Sequence, residues 1–266
     1  MSESPVLVVK IGGSTLGSHD TTLQDLVALQ GRGWRPLVVH GGGALVSEWL
    51  KLHDTPTRFV RGLRVTDAAS LRVVVAVLAG LVNKELVAAL NALGGRAIGL
   101  SGADGALIRV SPLDPELGYV GQIERVDGDM LRRLLDERYL PVVAPLGLLW
   151  QDGGPRNQIM NINADTVAGE AALALGARWL VFLTDVPGIV GRDGHSLARL
   201  APGEAAALVE EGVVSGGMIP KVEACLRAAA GGTRTAIIDG RQPHALLAAL
   251  DRGELAGTIV GPEQEA

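Results

Sequence analysis

Two lysines stand where folding alone gives them little reason to be. Lys10 closes the apolar, β-branched run Val6–Ile11 and is followed by Gly12, Gly13 and Ser14. A buried ammonium is costly unless an anion meets it, and neighbouring glycines let backbone N–H groups approach such an anion closely. A lysine that snorkels beside an ordinary glycine turn is the other reading. Lys221 follows Ser215-Gly-Gly-Met-Ile-Pro at a helix start, with Pro220 suited to the first turn. There a cation opposes the helix dipole, and a nearby phosphate would reverse the sign of that interaction. A third turn, His40-Gly41-Gly42-Gly43, joins an apolar run to a helix beginning at Ala44. Such a turn exposes several N–H groups backed by the helix N-terminus. All three features suit the binding of a dispersed anion such as a phosphoryl group.

Polar residues gather at three further junctions. Arg64, inside Gly62-Leu-Arg-Val-Thr-Asp67, sits on a short strand leading to a helix capped by Thr66 or Asp67. A guanidinium there is either solvated or a bidentate clamp for a carboxylate. In Asn161-Ile-Asn-Ala-Asp-Thr166, Asn163 is a natural N-cap and Asp165 suits the first turn of the following helix. Three polar groups within five residues exceed what one cap requires. Thr184-Asp-Val-Pro-Gly-Ile189 ends another apolar run.

These residues must be carried by alternating strands and helices. The strand candidates are Val6–Ile11, Leu37–His40, Ala97–Leu100, Leu140–Ala144, Trp179–Leu183, Arg234–Ile238 and Thr258–Val260. Helices are expected at 22–30, 44–52, 67–92, 128–137, 164–175, 203–211, 221–230 and 243–250, with marginal strands or hairpins at Arg58–Val65, Leu107–Val110 and Gly118–Val126. The alternation predicts an α/β fold, a largely parallel open sheet at whose carboxyl edge ligands bind. Gln151–Asn161 reads as a turn-rich connection between an N-terminal and a C-terminal half, and a flexible tail is expected after Gly261.

The 266 residues carry 24 Lys+Arg against 29 Asp+Glu, a net charge of −5, and this mild acidity argues against nucleic acid as a partner. The single Cys225 excludes an internal disulfide and any multi-cysteine zinc site, as in a reducing cytoplasm. No apolar run is long enough to suggest a membrane span, the first residues lack a signal-peptide pattern, and no metal site is expected. The chain lacks a Walker A loop and the G-x-G-x-x-G that would follow a strand in a dinucleotide-binding oxidoreductase.

K-I-G-G-S, H-G-G-G, G-L-R-V-T-D, N-I-N-A-D, T-D-V-P-G-I and G-G-M-I-P-K occur in that order. With Leu81-Val-Asn-Lys-Glu and Gly99-Leu-Ser-Gly-Ala-Asp-Gly, the set resembles the amino-acid kinase family from Val6 to about Thr258. Within that family it is similar to the branch that phosphorylates the γ-carboxylate of N-acetyl-L-glutamate in arginine biosynthesis. The resemblance implies a three-layer αβα sandwich forming a single domain over 1–266. An amino-acid lobe would span about 1–155 and an ATP lobe about 156–266.

It further implies that Lys10 and Lys221 contact the transferring phosphoryl group from opposite sides while Asp165 holds both in place. Gly12, Gly13, Gly42 and Gly43 would offer backbone N–H groups to the phosphoryl group and the substrate, and Arg64 and Asn161 would grip the α-carboxylate end. Thr184, Asp185, Gly188, Ile189, Val190 and Val213, Val214, Ser215 would line the nucleotide pocket. ATP with Mg²⁺ on its phosphates is the implied cofactor set. The acceptor carboxylate is already ionised at neutral pH, so no general base is needed. With nine residues before Lys10 there is no room for the extra N-terminal helix of arginine-inhibited relatives. The expectation is an arginine-insensitive, cytoplasmic homodimer. The rival readings are a kinase of carrier-linked aminoadipate or glutamate and a non-catalytic nucleotide- or amino-acid-binding regulator. Intact G-L-R-V-T-D and N-I-N-A-D argue against the first, and the retained Lys10, Asp165 and Lys221 against the second.

Overall fold

The computed structural model describes residues 4–12, 21–252 and 255–261. Its strands are β1 (Val6–Ile11), β2 (Arg35–His40), β3 (Phe59–Val60), β4 (Leu63–Arg64), β5 (Ala97–Gly102), β6 (Ile108–Pro112), β7 (Gly121–Val126), β8 (Leu140–Gln151), β9 (Gly154–Asn161), β10 (Trp179–Thr184), β11 (Arg199–Leu200), β12 (Arg234–Asp239) and β13 (Gly257–Val260). Its α-helices are α1 (Thr22–Gly31), α2 (Gly43–Leu52), α3 (Ala68–Val75), α4 (Asn83–Ala92), α5 (Gly128–Asp136), α6 (Ala164–Leu175), α7 (Pro202–Glu210), α8 (Ile219–Ala230) and α9 (Ala245–Leu247). A π-helical stretch, Ala76–Val82, joins α3 to α4.

Side-chain alternation along the strands sets the layers, because successive residues face opposite sides of a sheet. Leu7, Val9 and Ile11 of β1 pack with Val38, Val181 and Leu183 against Leu26 and Leu29 of α1, Leu86 and Leu90 of α4, and Leu246 of α9. Val8, Leu37, Val39, Leu180 and Phe182 face the other way, onto Leu131 and Leu135 of α5, Val167 and Ala171 of α6, and Val222 and Cys225 of α8. The result is the expected three-layer sandwich.

The eleven-stranded sheet runs β11-β13-β12-β10-β1-β2-β8-β6-β7, with β5 and β9 also paired to β8. β1 is parallel to both β10 and β2, in the registers Lys10↔Phe182 and Lys10↔Val39. β12, β10, β1, β2, β8 and β5 all run the same way, so Asp239, Thr184, Ile11, His40 and Ser101 reach one carboxyl edge.

Two expectations are corrected. Gln151–Asn161 is a β-hairpin: β8 continues to Gln151, the chain reverses at Asp152 and Gly153, and β9 returns antiparallel. The turn residues of that stretch crowd the hairpin tip, and Pro155 is tolerated at the start of β9, far from Asn161, where the strand also bridges to Val120. The second correction concerns apolar length. The continuous helical stretch Ala68–Ala92 is long and apolar enough to cross a membrane by length and composition, although a third of its most apolar window is buried inside the molecule. Its inner face carries Leu71, Val74, Val77, Leu78, Leu86 and Leu90.

Candidate active site

The geometry of the two lysines begins with β1. Lys10 lies on the face covered by α6 and α8, one residue before the strand ends. Asn163 caps α6, accepting from the amides of Asp165 (2.8 Å) and Thr166 (3.2 Å), as its position suggested. The cap places Asp165 in the first turn, where the helix dipole favours a carboxylate. Lys10 Nζ lies 2.9 Å from Asp165 Oδ1, and Lys221 Nζ donates to Asp165 Oδ2 at 3.0 Å and to the Gly217 carbonyl at 3.0 Å. Lys10 and Asp165 are buried and Lys221 is nearly so. Gly169 makes this convergence possible, since a Cβ there would stand 2.9 Å from Ala224 Cβ on α8. The triad carries one net positive charge at the edge of a cavity.

That cavity, about 250 Å³, is lined by Lys10, Asp165, Gly41–Gly43, Arg64, Asn161 and Asn163 together with an apolar wall that includes Val46, Phe59 and Leu78. Gly42, at φ 152°, holds a backbone conformation that strains any other residue, and a Cβ there would push the end of the Leu78 side chain, 2.7 Å away, aside. Arg64 Nη2 donates to the Gly43 carbonyl (3.0 Å) and Ser47 Oγ (2.7 Å), and the guanidinium stacks 4.8 Å from the centre of the Phe59 ring. Its Nη1 is buried without a hydrogen-bond partner among the described residues. Burial holds the Arg64 pKa below its ordinary value. Asn161 Nδ2 donates to Thr66 Oγ1 at 3.2 Å. Asp67 caps α3 by accepting from the Ser70 amide, which keeps its carboxyl below the usual range.

The residues expected at the nucleotide lie one strand away, beyond β10. Thr184 is buried at the strand end and accepts from the Val186 amide (3.2 Å); the Gly240 amide donates to its carbonyl. Asp185, Val190, Val213 and Ser215 are exposed, with Gly188 on the same loop as Asp185 and Val190. Arg192 donates twice to Glu211, at 2.7 Å each, tying that loop to the end of α7. Ile189 and Val214 point into the core, which leaves only their backbone to face a ligand. A cavity of about 590 Å³ beside this loop is lined by Pro187, Leu197 and Asp239 among others, not by these residues. Gly12 follows β1 and is part of the same carboxyl edge, while Gly13 lies outside the described residues.

Two groups beside the cavity had been given no role. Phe59 supplies the flat surface under Arg64. His40, just before the glycine turn, is buried, its Nδ1 2.8 Å from the Gly41 carbonyl and its Nε2 3.2 Å from Asn83 Nδ2. Burial, reinforced by repulsion from Lys10 and Lys84, outweighs the Gly41 bond and pushes its pKa down to about 4. His40 and Asn83 stand in motifs already noticed, but 43 residues separate them. Among the described residues, no group of three or more His, Cys, Asp or Glu could hold a metal ion.

The model of the amino acid kinase family matches residues 5–239. The acetylglutamate kinase of Dehalococcoides mccartyi (strain CBDB1) is 45% identical over 262 residues, which cover 98% of this chain and 96% of that one. Among solved structures, smu.665 of Streptococcus mutans UA159 superposes with a TM-score of 0.83 at 27% identity, covering 97% of this chain and 99% of that one. An N-acetylglutamate synthase from Neisseria gonorrhoeae, complexed with coenzyme A and N-acetyl-glutamate, gives a TM-score of 0.82 at 28% identity, over 99% of this chain and 61% of that one. The chain therefore belongs to the amino acid kinase family, in the branch of the acetylglutamate kinases.

Proposed function

We propose that the protein transfers the γ-phosphoryl group of ATP to the γ-carboxylate of N-acetyl-L-glutamate, forming the 5-phosphate that arginine biosynthesis consumes. The observation that carries this reading is that Lys10 and Asp165, the latter also held by Lys221, line a cavity that holds an unpartnered arginine nitrogen. Phosphoryl transfer asks the protein mainly for positioning and positive charge around spread-out negative charge. Lys10 and Lys221 supply that charge from two directions, and Asp165 holds both ammonium groups without needing to accept a proton. The Gly42 and Gly43 amides serve the transferring group and the acceptor. Arg64 Nη1, with Asn161 near, takes the α-carboxylate, and Val46, Phe59 and Leu78 cover the apolar part of the acylated chain. Each Asp165 oxygen faces a lysine ammonium, Oδ2 through a hydrogen bond and Oδ1 through an ion pair without hydrogen-bond geometry, so Mg²⁺ would ride on the ATP phosphates and neutralise part of their charge. The nucleotide lies along Asp185–Val190 and Val213–Ser215, in a C-terminal lobe of about 156–266, with the acceptor in an N-terminal lobe of about 1–155.

Within the same reading the protein is a cytoplasmic homodimer. The outward side of Ala68–Ala92 supports a second copy as partner: Ala69, Ala76 and Gly80 are exposed and small, so another helix can approach closely. The deciding experiment for the reaction compares ADP release from Mg-ATP with N-acetyl-L-glutamate, glutamate and α-aminoadipate, trapping acyl phosphate with hydroxylamine. Trapped product with N-acetyl-L-glutamate alone is the expected result. No product with any of the three, in a protein that binds ATP, overturns it.

A further inference from the structure

A buried polar chain runs behind the glycine turn, on the side away from the cavity. Asn83 Nδ2 donates to the Val142 carbonyl at 2.9 Å and faces His40 Nε2 at 3.2 Å. Because that carbonyl and the Leu100 carbonyl, 3.4 Å from the same nitrogen, can only accept, the amide nitrogen of Asn83 must lie on this side, and it meets His40 Nε2 at the shorter 3.2 Å as a donor. Nε2 of His40 is therefore the unprotonated nitrogen. Nδ1 carries the proton and donates it to the Gly41 carbonyl, 2.8 Å away. Lys84 Nζ donates to Asn83 Oδ1 at 3.0 Å and completes the fixing of the amide. The imidazole is neutral at physiological pH, so the turn gains a hydrogen bond without a third cation beside Lys10.

The consequence lies in one peptide unit. In a trans peptide the C=O of residue i and the N–H of residue i+1 point in opposite directions. A Gly41 carbonyl held toward the imidazole sends the Gly42 N–H away from it. Gly41, Gly42 and Gly43 line the cavity, and His40 does not. With φ at 152°, Gly42 has the freedom to take another orientation unless something holds it. We propose that His40, with its tautomer locked by Asn83, is a positioning residue that aims the Gly42 N–H at the anion in the cavity. The functional stake rests on the phosphoryl-transfer reading above; the tautomer does not.

Two substitutions separate the bond to Gly41 from the bond to Asn83. The amide nitrogen of Asn occupies the place of imidazole Nδ1, and the terminal amide of Gln that of Nε2. His40→Asn keeps the donor to Gly41; His40→Gln keeps the partner of Asn83. Expected at saturating substrates is a kcat within about 3-fold of wild type for His40→Asn and a loss of about 100-fold for His40→Gln. The KM for ATP is unchanged in both, and their melting temperatures fall together. Equal losses of kcat that follow melting temperature overturn the proposal and leave a structural role. Independently of activity, ¹⁵N NMR of the wild-type imidazole must show Nδ1 protonated and Nε2 bare near neutral pH; the opposite tautomer also overturns it. A wild-type protein that forms no acyl phosphate sinks the functional reading, and the NMR result then decides the tautomer by itself.

Discussion

Asp165 is shared by two ammonium groups, so deleting either lysine does more than remove a ligand contact. Lys10→Ala and Lys221→Ala each withdraw transition-state charge and free the carboxylate to repel the phosphoryl group. Each is expected to lower kcat by about 10²–10³-fold, measured by coupled ADP release, with the fold intact by circular dichroism. His40 gives a pH signature. Its pKa falls from 6.5 to about 4 on folding, so the unfolded chain binds the proton more readily between those values. The stability His40 contributes is complete above pH 6.5 and is lost as pH falls toward 4. Urea unfolding at about pH 7 and about pH 4.5 should show wild type losing about 2–3 kcal/mol more than His40→Gln. No difference between the two proteins would mean that the imidazole is not buried neutral. At this scale the sequence was informative wherever a residue type conflicted with its local setting, as with Lys10 and Lys221. It was silent on His40, whose partner becomes a neighbour only when α4 packs against the sheet.

The elements explain why the triad closes. α6 and α8 approach through Gly169 and Ala224, and that contact sets where Asp165 meets Lys221. Gly169→Ala forces a separation; the expected cost is about 1–3 kcal/mol of stability and a clear drop in kcat. Adding Ala224→Gly removes the 2.9 Å contact and should restore part of both, as read by thermal melting and turnover. Failure of the second substitution to rescue the first would place the cause elsewhere. Most strands were legible because β-branched runs ending at glycine turns leave few alternatives. The β8–β9 hairpin was not, because Gly153, Gly154 and Pro155 are also what a loop contains, and only pairing with β8 makes the flanking residues a strand. The π-helical Ala76–Val82 has no local signature, since its composition suits an α-helix equally well.

For the whole molecule, burial and exposure make two opposite predictions. Cys225 lies in the core beneath α8, and burial pushes its thiol up to about 12, with Asp165 adding to the effect. Native protein should resist labelling by a disulfide reagent that reacts at once in denaturant; rapid native labelling would show that α8 opens. Gly80 stands on the outward side of the Ala68–Ala92 helix with open space where a Cβ would be. Gly80→Arg is expected to leave the monomer folded and to convert a dimer to monomer in sedimentation velocity. An unchanged mass would put the second copy on another face.

The two lysines and their aspartate come from widely separated parts of the chain: Lys10 from the first strand, Asp165 from the middle, Lys221 from the start of α8. A polypeptide still being translated completes the glycine turn and the arginine that faces it long before its second lysine leaves the ribosome. Such a partial product still lacks Asn161–Asp165, which line the same cavity, and Lys221, which meets Asp165. On the assignment proposed above, a chain ending before Lys221 lacks one of the two ammonium groups that meet Asp165, so the order of synthesis completes the site only when the molecule is nearly whole.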